Sequence, residues 1–234
     1  TTGCVSATRT SVAVTINAIP AAPTAMAQSF CGSTTVAALV GTPPTGSTVD
    51  WYTASSGGTA LTSGTALSST TYYGQSRNTT TGCVSATRTS VAVTINALPA
   101  APTATAQSFC GSATVAALSG TVPAGIAIDW YAASSGGTAL ASGTALSSTT
   151  YYGQSRNTTT GCISATRTSV VITINALPAA PTGSTIQQFC EAANPTIASL
   201  SATGTAIKWY SGANGGSALT TTTSLVSGNH YYAT

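Results

Sequence analysis

The stretch GQSRNTTTGCISATRTSVVITINALPAAPT, residues 153–182, decides the fold, because it recurs nearly letter for letter at 74–103 and its later part opens the chain at 1–24. Cysteines at 4, 83 and 162 and tryptophans at 51, 130 and 209 share one period of 79 residues, with single-residue slips in the last copy. Self-similarity at a fixed period marks a tandem array in which each unit is a structural module. Residues 1–20 are then the last strand of one module with its linker. Residues 21–99 and 100–178 are complete modules, and 179–234 is a module lacking its last strand. The boundaries fall in the linker Ala-Leu-Pro-Ala-Ala-Pro-Thr at 97–103 and 176–182, where two prolines three residues apart hold the backbone extended.

Within the complete module at 100–178, Ile126, Ile128 and Trp130 alternate with Ala127, Asp129 and Tyr131, the period-two signature of a half-buried strand. Thr103 to Phe109 and Thr114 to Leu118 read as two short strands before it. Ser134-Ser135-Gly136-Gly137 is a turn, and short strands follow around Leu140 and Leu146. Thr149 to Arg156 begins the next strand, and the last carries Val170, Ile172 and Ile174 on one face. Seven short strands with no helical period predict an all-β chain: tandem immunoglobulin-like antiparallel β-sandwiches repeating every 79 residues. In that fold the alternation places Trp51, Trp130 and Trp209 in the module cores. Of the adjacent tyrosines at 72–73 and 151–152, one packs inward and the other points out.

Composition narrows the function. Charged residues are 4% of the chain against the usual ~25%, so solubility rests on hydroxyls and backbone. A net charge of +3, from five Arg and one Lys spread over the modules against three acids, forms no basic stripe, and nucleic acid is not an expected partner. No apolar run approaches the ~18 residues of a membrane span, so no membrane insertion is expected. Small modules have thin cores that often rely on staples. Two cysteines per period supply them and favour an oxidising compartment.

No catalytic or metal-binding constellation is legible. The acids Asp50, Asp129 and Glu191 and the single His230 do not cluster, and one acid per complete module cannot build a calcium cage or a carboxylate pair. Asp50 and Asp129 read as solvated strand residues, since the third copy carries Lys208 there. Two thiols without histidine leave a zinc shell half empty. No cofactor is expected. Arg77 with Arg88, and Arg156 with Arg167, flank the last hairpin and are expected to serve solubility and cross-strand hydrogen bonding. Asn78-Thr79-Thr80 and Asn157-Thr158-Thr159 match the N-glycosylation sequon, a match expected by chance.

Phe109-Cys110-Gly111, Trp130-Tyr131, Gly136 to Leu140, Tyr151-Tyr152 and Gly161-Cys162, followed by SATRTSV, VTIN-type and LPAAPT segments, resemble the Ig-like repeats of large secreted surface proteins and adhesins of Bacteroidota, including those linked to gliding and type IX secretion. The resemblance covers the whole chain and implies a scaffold with no shared catalytic or ligand residues. In such a sandwich the chain before the second strand and the final hairpin are expected at one end, which pairs Cys31 with Cys83 and Cys110 with Cys162. Cys190 is then expected to pair with the equivalent of Cys4 from an adjoining unit.

The expected function is a structural, adhesive repeat segment of an extracellular bacterial surface filament or stalk that presents or spaces a binding tip. Its expected partners are neighbouring copies of the same repeat, in one long chain or between head-to-tail subunits, and a surface glycan or protein. The alternatives are glycan- or protein-binding modules acting by avidity, or spacers of a secreted enzyme.

Overall fold

A computed structural model describes residues 2–234 and contains no α-helix among them. In the first repeat the strands are β1 (Gln28–Cys31), β2 (Ser47–Tyr52), β3 (Thr70–Asn78) and β4 (Thr89–Asn96), arranged in the order β1-β4-β3-β2. The second repeat copies this with β5 (Gln107–Cys110), β6 (Ile126–Tyr131), β7 (Thr150–Asn157) and β8 (Thr168–Asn175), in the order β5-β8-β7-β6. In the third repeat only β9 (Trp209–Tyr210) and β10 (Tyr232–Ala233) form, as one antiparallel pair.

The chain is all-β and built from tandem Ig-like units. Four of the seven expected strands per complete repeat are regular. The rest of each sandwich is made of single bridges, Thr24 to Thr42 and Thr35 to Ala66 in the first repeat, with a 3-10 turn at Val36–Ala38 where a second strand was expected. Short segments rich in Ala, Ser, Thr and Gly bury little side chain, so single contacts there replace ladders.

One pairing departs from the expected antiparallel scheme. β1 runs parallel to β4, Gln28 opposite Val93 through Cys31 opposite Asn96, and β5 runs parallel to β8 in the same register. The other strand pairs are antiparallel, Tyr52 facing Tyr73 and Gly74 facing Thr89.

The core of the first repeat lies under this sheet and gathers Val36, Leu39, Trp51, Leu67, Tyr72, Val91 and Val93. Trp51 and Trp130 are buried, whereas Trp209 is only half-buried. The tyrosine pairs divide as strand alternation requires, Tyr72 and Tyr151 buried and Tyr73 and Tyr152 half-buried. The Tyr72 hydroxyl accepts a hydrogen bond from the backbone N–H of Ser68 at 3.0 Å, the tie of a tyrosine corner.

By packing, the chain divides into two compact units that cut across the repeats. One comprises residues up to Ala106 with Leu118–Ser142 and Thr150–Val171; the other comprises Gln107–Ala117, Gly143–Thr149 and Ile172–Thr234.

Candidate functional site

Each complete repeat has two built ends, and each end carries a cysteine. At the exit end, Cys31 closes β1 beside Asn96, the last residue of β4. Gly32 follows in the left-handed region (φ +69°), and its N–H donates to the Asn96 carbonyl at 2.8 Å. Leu98 packs over this glycine so closely that a Cβ there would meet its side chain at 3.2 Å, which ties the cysteine to the start of the outgoing linker.

At the entry end, the loop after β3 is held by Asn78. Its Oδ1 accepts from the N–H groups of Thr80 and Thr81, both at 2.9 Å, while the Asn78 N–H donates to the Cys83 carbonyl at 2.9 Å. Asn157 holds Cys162 identically in the second repeat. The sequon asparagines thus serve as turn caps. The incoming linker arrives at this same end: Pro102 is buried against Gly153, and its carbonyl accepts a hydrogen bond from the Thr168 hydroxyl.

The structure joins Cys31 to Cys162, with Cα atoms 5.4 Å apart and a sequence separation of 131. Cys4, Cys83, Cys110 and Cys190 are free thiols. This corrects the expected pairs Cys31–Cys83 and Cys110–Cys162, and the reasoning behind a Cys4–Cys190 bridge goes with them, since that pair would also join the exit and entry cysteines of one repeat.

The reason is strand direction. Because β1 is parallel to β4, Cys31 lies at the far end of β4 from the β3–β4 hairpin. Following the register from Asn96 back along β4 and out along β3 to Asn78 covers about eleven residues, roughly 35 Å of sheet at ~3.3 Å per residue. A disulfide spans only about 4.4–6.8 Å between Cα atoms. The exit cysteine of one repeat instead reaches the entry cysteine of the next, because the linker between them connects those two ends.

The charged residues form a second motif. Arg77 makes a two-pronged ion pair with Asp50, Nε to Oδ2 at 2.6 Å and Nη2 to Oδ1 at 2.9 Å, and Arg156 pairs likewise with Asp129. Asp50 and Asp129 are therefore paired, not merely solvated. The hydrogen bond to Asp50 raises the Arg77 pKa further above its ordinary value. This contribution to stability is lost as the pH rises into strong alkali.

Arg88 sits 3.4 Å from the centre of the Tyr52 ring and donates to the carbonyls of Ala54 and Gly57, pinning the Ser55–Gly58 turn. Arg167 repeats this on Tyr131, Ala133 and Gly136. These contacts occupy the cations structurally. Among the described residues no three His, Cys, Asp or Glu side chains group where a metal ion could be held. Among the described residues no helix is long and apolar enough to cross a membrane.

A tandem Ig-like protein, its repeats joined by a disulfide between consecutive units, is the class that this fold and geometry define. The chain belongs to the family described as Ig-like domain CHU_C associated, whose model matches residues 20–96 and 99–175. No curated protein matches it. Among solved structures the I67–I69 domains of titin, in an E-to-A variant, share 12% identity over 90% of this chain and 84% of theirs, with a TM-score of 0.26. Sidekick-1 immunoglobulin domains 1–5 share 12% identity at a TM-score of 0.20, over 81% of this chain. The N-terminal four Ig domains of Dscam1 isoform 6.44 share 16% at 0.24, over 71% of this chain. The chain spans about half the length of the latter two, 48% and 54%.

Proposed function

We infer that this chain is a structural, adhesive repeat segment of an extracellular bacterial surface stalk or filament, one that spaces or presents a binding tip. The observation that carries this reading is the Cys31–Cys162 bridge, which welds one repeat to the next outside the linker. A disulfide persists in oxidising surroundings, and a second covalent tie between consecutive units is of use to a chain that carries tension along its length. The family membership and the charge-poor, hydroxyl-rich surface fit a secreted scaffold. Neighbouring repeats of the same kind are its first partners, and a surface glycan or protein held at the tip is the second.

Force spectroscopy on the chain pulled from both ends tests the mechanical role. While the bridge is intact, tension passes from Cys31 directly to Cys162 and the residues between them stay slack. Reduction should release up to 131 residues, about 440 Å at ~3.4 Å per residue. Unfolding lengths unchanged by reductant would sink the reading.

A further inference from the structure

The same glycine-rich turn follows the core tryptophan in all three repeats. It is closed each time by one backbone bond, from Leu61 N–H to the Trp51 carbonyl at 2.8 Å, from Leu140 to Trp130 at 2.7 Å and from Leu219 to Trp209 at 2.8 Å. Its paired glycines hold positive φ in every copy, +64° and +70° at Gly57 and Gly58, and +66° and +82° at Gly215 and Gly216. The residue before the pair is Ser56 in the first copy and Ser135 in the second, but Asn214 in the third. Residues 55–58, 134–137 and 213–216 are all exposed, so the turn is open to water in the complete repeats as well.

A carboxamide followed by a glycine is a reactive pair when both are free. The backbone nitrogen after an asparagine lies within reach of the side-chain carbonyl carbon, and a following glycine has no Cβ to block the approach. A Cβ built on Gly215 would meet nothing within 4 Å. Among the described residues no hydrogen bond engages the Asn214 carboxamide or the Gly215 N–H.

The other asparagines are held or shielded. Asn78 and Asn157 each accept two N–H groups at 2.9 Å, and the N–H that follows each is spent on the carbonyl of Gly46 or Gly125. Asn96 and Asn175 donate their amides to Ser29 and Ser108 at 2.7 Å. Asn194 precedes Pro195, which has no N–H to give. Asn17 and Asn229 precede Ala18 and His230, whose Cβ atoms crowd the attacking nitrogen.

We propose that Asn214 is a site of spontaneous covalent modification, at which the side-chain amide is lost and an aspartate or isoaspartate takes its place. Base removes the proton of the Gly215 N–H, and that nitrogen bonds to the Asn214 side-chain carbonyl carbon. The carbon–nitrogen bond of the side chain breaks, and ammonia leaves with the proton it needs. Water then opens the five-membered imide at one carbonyl or the other, which gives aspartate or isoaspartate. Water enters, ammonia departs, and no oxidant or reductant is required. Each event adds a fourth acid to a chain that has three and lowers a net charge of +3 by one. Charge is scarce on this surface, so the change is large in relative terms.

This goes beyond the stalk reading and does not depend on it. The test warms the purified, folded chain in neutral and in mildly alkaline buffer made with heavy-oxygen water, then maps it by mass spectrometry. Trypsin cuts after Lys208, and fragment ions of the peptide that begins at Trp209 separate Asn214 from Asn229. Asn214 is expected to react first, to take up one heavy oxygen, to resolve into two isomers and to react several-fold faster in the alkaline buffer. The intact chain should shift by one charge in ion exchange. Gly215→Ala should slow the reaction several-fold. Asn214→Ser, which copies the turn at Ser56 and Ser135, should keep the fold and abolish the charge shift. Earlier reaction at any other asparagine would overturn the proposal, as would an Asn214 that keeps its amide or an undiminished charge shift in Asn214→Ser.

Discussion

Gly153 shows how finely the core of a small repeat is fitted. A Cβ at this position would lie 3.2 Å from the Trp130 ring, 3.3 Å from Ile128 and 3.3 Å from Pro102, three groups with little room to yield. Gly→Ala ordinarily stabilises by about 0.4–1 kcal/mol through the unfolded state. Overpacking costs about 1–3 kcal/mol and should win here. Gly153→Ala is therefore expected to lower stability by about 1–2 kcal/mol in urea unfolding, while Gly143→Ala, with nothing near its Cβ, should be neutral or slightly stabilising. A neutral Gly153→Ala would mean that the tryptophan is not clamped. Trp130 was legible as a core residue from its alternation with Ile126 and Ile128. The glycine beneath it was not, since only the β6–β7 register sets Trp130 opposite Gly153. The same holds for Asp129, whose sequence neighbours gave no hint of Arg156, 27 residues on.

At the scale of the strand, identical letters have different fates. Val91 in β4 is buried between the sheet and the core, whereas Val12, in the same local sequence, lies in solvent. Val91→Ala should cost about 2 kcal/mol of first-repeat stability through lost burial and the cavity left behind. Val12→Ala should leave the melting of the monomer unchanged, and the comparison by calorimetry under reducing, dilute conditions is direct. Equal losses at both positions would show that the segment at 4–17 is already packed. Local pattern marks a strand's inward face, but whether the strand forms depends on neighbours that supply its hydrogen bonds and cover its valines. For that reason β4 and β8 were readable in the sequence, whereas the weak strands of the other layer dissolve into bridges and turns.

At the scale of the whole chain, the cysteines are the sharpest discriminator. Alkylation of the non-reduced, unfolded monomer should label four thiols, Cys4, Cys83, Cys110 and Cys190, and spare Cys31 and Cys162 until reductant is added. Bridges within repeats would leave only Cys4 and Cys190 to label, so a mass spectrum separates the two schemes at once. Loop entropy could not have chosen between them, because enclosing 131 residues is worth about 5 kcal/mol and 52 about 4, and strain easily outweighs that margin. The sequence alone determined the 79-residue period, the Ig-like module, the proline linkers, the inward tryptophans of the two complete repeats and the presence of one cysteine near each of two turns, because all of these are written in local pattern and its recurrence. Which cysteine meets which was decided only by tertiary structure. It depends on the direction of β1 beside β4, a contact across 65 residues of sequence that places the exit and entry cysteines of one repeat at opposite ends of its sheet and at the junctions with its neighbours.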